Sequence, residues 1–164
     1  MFGLRCFSAM PTPDNVPPVP TEQVKPSTRP SVWVQIYLSD CMGSGIYNWY
    51  ARGEWKPEGN SITEGIGNNR ETKNLEGFTP DGQLQITDEG MLPVLFRLAQ
   101  EEGLLVGGSS GINICGAIRL ANELGPGHTI VTILADSGTR YQSKLFNPAF
   151  LREKNLPTPQ WLDG

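Results

Sequence analysis

Residues 104–120, LLVGGSSGINICGAIRL, constrain the fold of this chain more than any other stretch. A short apolar run meets Gly107-Gly108-Ser109-Ser110-Gly111, and apolar residues at helical spacing follow. A strand that turns into a helix through small residues belongs to α/β architecture. The purpose of the turn stays open at this level. Glycines permit positive φ, and Ser109 or Ser110 can cap the helix, which makes a plain connection. A helix start is also an anion site, so a phosphate could rest there. A dinucleotide site would use Asp136, at the end of the next apolar run, as its ribose ligand. Gly107, Gly108 and Gly111 do not form G-x-G-x-x-G, however, and no Walker lysine is present.

The flanking segments repeat the theme. Residues 31–38, SVWVQIYL, are β-branched and aromatic and predict a strand, ended by Ser39 and Asp40. A short helix over 43–52 follows. Its aromatics Tyr47, Trp49 and Tyr50 suit packing, since no basic residues surround them as a stacking platform for bases would need. Residues 53–86 are rich in glycine and proline and predict a loop region. Thr87 or Asp88 can cap a helix over 88–102, with the apolar stripe Leu92, Leu95, Phe96 and Ala99. Pro93 should kink this helix or delay its start, and Gly103 stops it. Leu104 to Val106 reads as a short buried strand. Residues 110–124 read as a helix with the stripe Ile114, Ala117, Ile118 and Ala121, ended by Gly125. TIVTILA at 129–135 is a continuous apolar run between turns, the pattern of a strand buried on both faces. Asp136-Ser137-Gly138 lead into a further short helix through Tyr141 and Leu145, and the tail 147–164 reads as irregular. This order predicts an α/β fold with a mostly parallel sheet, where ligands sit beyond the carboxyl ends of the strands. The loops 107–111 and 136–138 hold such positions.

Composition removes several function classes. A chain of 164 residues can bury one ordinary core. The net charge is −4 without a basic cluster, which argues against nucleic acid and anionic membrane as partners. No apolar run approaches the ~18 residues of a membrane span. Seven of the 14 prolines fall between Pro11 and Pro30, so residues 1–30 predict a disordered or extended arm before a folded unit over 31–164. Cys6, Cys41 and Cys115 are odd in number and widely spaced, which suits a reducing, cytoplasmic compartment and no metal site. The single histidine, His128, reads as a solvated turn residue rather than a member of a catalytic triad.

From about Val32 to Leu162 the chain resembles the C-terminal part of cysteine synthases, in the tryptophan-synthase-β-like family of pyridoxal-phosphate enzymes. Three pieces carry the resemblance in the family's order: Thr63-Glu64-Gly65-Ile66-Gly67, EEGLLVGGSSG at 101–111, and TIVTILADSGTRYQSKLF at 129–146. Residues 61–78, SITEGIGNNRETKNLEGF, resemble one microbial and fungal subgroup. The resemblance implies part of a three-layer, mostly parallel fold of type II. It implies pyridoxal phosphate as cofactor and replacement of acetate on O-acetylserine by sulfide. Ser109 would then hydrogen-bond the pyridine nitrogen, flanked by Gly108 and Ser110. A neutral hydroxyl leaves that nitrogen largely unprotonated, a mild electron sink suited to β-elimination and replacement. Ala135, Asp136 and Ser137 would wall the ring, and Glu64, Gly65, Ile66 and Gly67 would line the substrate entrance.

Other parts of the family's site have no counterpart. Lys25, Lys56, Lys73, Lys144 and Lys154 all lie outside an S-x-K-D-R type segment. The asparagine-bearing substrate loop and the phosphate loop of G-T-G-G-T type are missing as well. No catalytic residue is therefore assigned. The expectation is a partial enzyme, inactive as this chain alone, that takes a small amino-acid substrate when completed. It would pair as a homodimer or dock on a full-length paralogue. The alternative is a non-catalytic half-enzyme or pseudoenzyme with the same docking role. A sheet without its full set of strands is expected to leave an edge and an apolar face open.

Overall fold

β1 (Tyr37–Cys41) and β2 (Gly82–Ile86) pair in parallel, from Tyr37 opposite Gly82 to Cys41 opposite Ile86. They belong to a computed structural model that describes residues 34–163, so the arm expected over 1–30 lies outside the described residues. Around this pair stand α1 (Ile46–Arg52), α2 (Asp88–Glu101), α3 (Gly108–Leu124) and α4 (Pro148–Glu153). The α/β class with a parallel sheet is as expected.

Both strands depart from the sequence reading. β1 runs through Ser39 and Asp40, which were expected to end it. Asp40 is buried, and its carboxylate accepts hydrogen bonds from the amides of Cys41 (3.0 Å) and Tyr47 (2.9 Å), so it stitches the strand to α1. Desolvation holds its carboxyl above the usual range, against the pull of the hydrogen bonds from Ser44, Tyr47 and Cys41. β2 lies in the stretch read as loop. Its alternation of Gln83 and Gln85 with Leu84 and Ile86 is too short to stand out between glycines and prolines. Gly82 is needed there, because a Cβ would lie 2.6 Å from the Tyr37 ring across the pair.

The helices follow their local signals more closely. Thr87 caps α2 by accepting from the Gly90 amide, and Asp88 and Glu89 complement the helix dipole. The helix starts on time and passes through Pro93 unbroken. Pro93 and Glu89 are both exposed, so the carbonyl that loses its intrahelical donor reaches water. α3 begins two residues before the expected 110, with Gly107 as its N-cap and no side-chain cap. Its buried face carries Ile112, Ile114, Cys115 and Leu120, whereas Ile118 and Ala121 of the expected stripe are exposed. The aromatics of α1 pack as expected: Trp49 stacks on Trp55 at 5.4 Å and Tyr50 meets Phe78 edge-on. The tail is less irregular than predicted. Asn147 caps α4, Pro148 begins it, and Leu151 is fully buried.

Two expected strands do not form. Residues 129–135 carry no ladder, and Val131 and Ile133 are 86% and 71% exposed. Leu104 and Leu105 are exposed too, and Val106 makes a single antiparallel bridge with Ser137. Apolar, β-branched residues make a strand only beside another strand, and among the described residues none pairs with 129–135. The core therefore sits at the seam of α2 and α3, where Met91, Leu92, Leu95 and Ile112 are fully buried with Leu145 and Leu151.

Cys115 is part of this core, and burial pushes its thiol up to about 11 against a small opposing pull from Arg119. A raised thiol favours the folded state fully below the ordinary value of 9.0, and this contribution is lost as pH rises through the folded value. Peptide mapping after iodoacetamide treatment at pH 8 should find Cys115 unlabelled until urea unfolds the chain. Rapid labelling under native conditions would contradict its burial.

Candidate functional site

Three stretches far apart in sequence meet at the start of α3. Ser109 is nearly buried, and its hydroxyl donates to the Asp136 carboxylate at 3.4 Å. The fully buried Ser110 accepts from the Ala135 amide at 2.9 Å, and the Gly107 amide donates to the Asp136 carbonyl at 3.0 Å. Residues 107–110 are thus laced to 135–136. The serines serve this tertiary contact instead of capping α3. Tyr141 donates its phenol to the other carboxylate oxygen of Asp136, and that bond holds the phenol above its usual value. Ser137 has the ordinary role of capping the short turn Gly138–Tyr141, through the Thr139 amide.

The loop over 61–67 closes against the same point. A Cβ on Gly108 would lie 2.8 Å from the Thr63 methyl, so this glycine admits the loop. Asp88, at the start of α2, fixes the loop's base by accepting from the Ser61 hydroxyl (2.6 Å) and the Ile62 amide (2.8 Å). Lys144 forms an ion pair with Glu64. Ile66 packs on the core, and Gly67 adopts a positive φ of 82° where a Cβ would crowd Cys41 and Ser44. Ile66 and Gly67 border a hollow of about 170 Å³ with Ser44, Thr63 and Asn68, while Glu64 and Gly65 are exposed outside it.

All three quoted pieces are brought together, and the sequence-assigned residues Gly108, Ser109, Ser110, Ala135 and Asp136 are neighbours. Tyr141, Asp88 and Lys144 were not anticipated. Tyr141 follows Asp136 by one short turn, so a donor for a half-buried carboxylate could have been sought there. Nothing local marks the contacts of Asp88 and Lys144. His128, read as solvated, is half-buried. Among the described residues no group of histidine, cysteine, aspartate and glutamate could hold a metal ion, and no helix is long and apolar enough to cross a membrane.

No family model matches the chain. Curated relatives do. The chain is 42% identical over 127 residues to cysteine synthase 1 of Emericella nidulans, covering 75% of this chain and 34% of the relative. It is 40% identical over 136 residues to cysteine synthase 2 of Schizosaccharomyces pombe, with the same coverage of 75% and 34%. Cysteine synthase of Dictyostelium discoideum is 37% identical over 133 residues. Among solved structures, the O-acetylserine-dependent cystathionine β-synthase of Helicobacter pylori matches with a TM-score of 0.59 and 31% identity, over 68% of this chain and 34% of that one. The fold is therefore that of the type-II pyridoxal-phosphate enzymes, in part. Within that class the chain is homologous to cysteine synthases, and it spans about a third of the length of the relatives it matches.

The donor chemistry at the start of α3, one neutral hydroxyl, is compatible with the nitrogen end of a pyridine ring. Ser109 offers a buried hydroxyl, with the Asp136 carboxylate and the Ala135 amide beside it. The single hydroxyl proton serves Asp136 in this structure and would turn to the nitrogen of a bound ring. Of the described lysines, Lys144 lies among these loops and is paired with Glu64.

Proposed function

We propose that this chain carries the ring-nitrogen side of a pyridoxal-phosphate site of cysteine-synthase type. The reaction would be replacement of acetate on O-acetylserine by sulfide to give cysteine. Pyridoxal phosphate, when bound, supplies the electron sink for that exchange. Ser109 would present a neutral donor to the ring. Asp136, held by Tyr141, would release the Ser109 hydroxyl to the ring and stand beside it. The loop from Glu64 to Gly67, fixed by Asp88 and Lys144, would border the path of the amino-acid substrate. The observation that carries this reading is the meeting of Thr63, Ser109 and Asp136, drawn from the three pieces shared in order with cysteine synthases.

We further propose that the chain alone does not complete the reaction, because among the described residues the lysine at these loops, Lys144, is paired with Glu64. Free Cys41 and Cys115 fit a reducing cytoplasm. A second reading, a non-catalytic half-enzyme that docks on a longer relative, is favoured by the exposed run 129–135. Purified chain with pyridoxal phosphate, O-acetylserine and sulfide should form cysteine no faster than a protein-free blank and should show no visible absorbance of bound cofactor. Sustained turnover by the chain alone would refute its incompleteness.

A further inference from the structure

Two hydroxyls share the half-buried carboxylate of Asp136. Oδ1 accepts from Ser109, and Oδ2 accepts from the Tyr141 phenol. The contact with Ser109 is long, 3.4 Å against the ~2.7 Å usual between oxygens, so its proton is only loosely held. Tyr141, in contrast, is fixed from several sides. Its ring packs against the core, and its carbonyl accepts from the amides of Lys144 (3.0 Å) and Leu145 (2.9 Å). A Cβ at Gly107 would stand 2.7 Å from that ring and 2.2 Å from Asp136 Oδ1, so ring and carboxylate rest side by side on the Gly107 backbone. The Asp136 carbonyl is pinned by the Gly107 amide at 3.0 Å.

Counting protons gives the phenol a task. Ser109 has one hydroxyl proton. When that proton goes to a ring nitrogen, Oδ1 loses its donor. A half-buried carboxylate stripped of donors is costly, and it would draw the proton back. Tyr141 relieves this conflict, because it binds the other oxygen and stays there whichever way Ser109 points. The hydrogen bond to Asp136 also holds the phenol above its usual value, so it remains a donor throughout the neutral range.

We propose that Tyr141 is a positioning residue: by donating to Asp136 it keeps that carboxylate satisfied and frees the single proton of Ser109 for the ring nitrogen of the cofactor. This rests on the ring-nitrogen role of Ser109 proposed above. Tyr141 acts through Asp136, not on the cofactor itself.

Two measurements test it. In the full chain, the ultraviolet titration of Tyr141 is isolated as the difference between the parent and Tyr141→Phe. Its midpoint should fall in Asp136→Asn, while the opposing influences of Arg140 and Glu64 on the phenol stay in place. An unmoved midpoint would deny the contact and overturn the proposal. The second measurement replaces the matched region of Emericella nidulans cysteine synthase 1 with the corresponding residues of this chain and reads the Kd of pyridoxal phosphate by fluorescence. Tyr141→Phe keeps the ring on the core and should raise Kd about fivefold. With Asp136→Asn already present, the same change should move Kd by less than about twofold, because a neutral amide makes a weaker demand on the Ser109 proton. Equal weakening in both backgrounds would make Tyr141 merely structural and overturn the proposal. If Ser109→Ala raises Kd and Tyr141→Phe does not, the role of Ser109 stands and that of Tyr141 falls. If Ser109→Ala is silent, or the chimera binds no cofactor, the reading of Ser109 falls and this proposal with it.

Discussion

Replacing Leu95 with alanine is expected to lower the unfolding free energy by about 3 kcal/mol. Leu95 is fully buried on α2, and a Cβ at Gly111 of α3 would lie 2.9 Å from its Cγ. The helices therefore touch through a glycine, with Met91 and Leu92 fully buried on the same face. Removing the isobutyl group leaves a void that neither helix can fill by moving, because each is held by further side chains along the seam. A loss of that size is a large share of the roughly 5–15 kcal/mol that stabilises an ordinary domain. Urea unfolding followed by circular dichroism measures it. Leu95→Met keeps the volume and should cost under about 1.5 kcal/mol. Equal, small losses for both variants would mean that the α2–α3 seam is not the core.

Gly107→Val should be nearly as damaging, through a different cause. The backbone at Gly107 is extended (φ −78°, ψ 172°), so the residue is not needed for its torsion angles. It is needed for space. A Cβ there would stand 2.2 Å from Asp136 Oδ1 and 2.7 Å from the Tyr141 ring. Asp136 cannot swing away freely, since Ser109 and Tyr141 both hold its carboxylate. Overpacking of this kind costs about 1–3 kcal/mol, and here it falls on the junction of two of the three site segments. Urea unfolding should show that loss, and amide exchange at 135–138 should quicken along with it. A variant as stable as the parent would contradict the contact between the two loops. Gly103→Ala is the contrasting case: its φ is +69°, and nothing lies within 4 Å of the added carbon, so its cost is backbone strain alone.

Much of this was readable in the chain, and the limits have physical causes. α2 was legible because its cap, its apolar stripe and its terminal glycine all lie within one segment. α3 was displaced by two residues because Ser109 and Ser110, which look like caps, spend their hydroxyls on Asp136 and Ala135 instead. The run TIVTILA shows its apolar character in sequence, but whether it becomes a strand depends on a neighbour that no local pattern reveals. β2 was hidden for the opposite reason: its partner β1 makes a strand of a five-residue segment with a weak pattern of its own. At the site, Ser109 and Asp136 stood out as a cap and a strand-end acid, and only resemblance tied them to one cofactor. Asp88 and Lys144 became visible once the fold had brought the loop over 61–67 onto Gly108.

The central claim is that residues shared with cysteine synthases form a working part of such a site. It is tested by replacing the matched region of Emericella nidulans cysteine synthase 1 with the corresponding residues of this chain and measuring cysteine formation from O-acetylserine and sulfide. The chimera should bind pyridoxal phosphate and turn over, and Ser109→Ala within it should lower kcat by about tenfold, the value of one neutral hydrogen bond. A folded chimera that binds the cofactor but forms no cysteine, or one indifferent to the loss of the Ser109 hydroxyl, would contradict it.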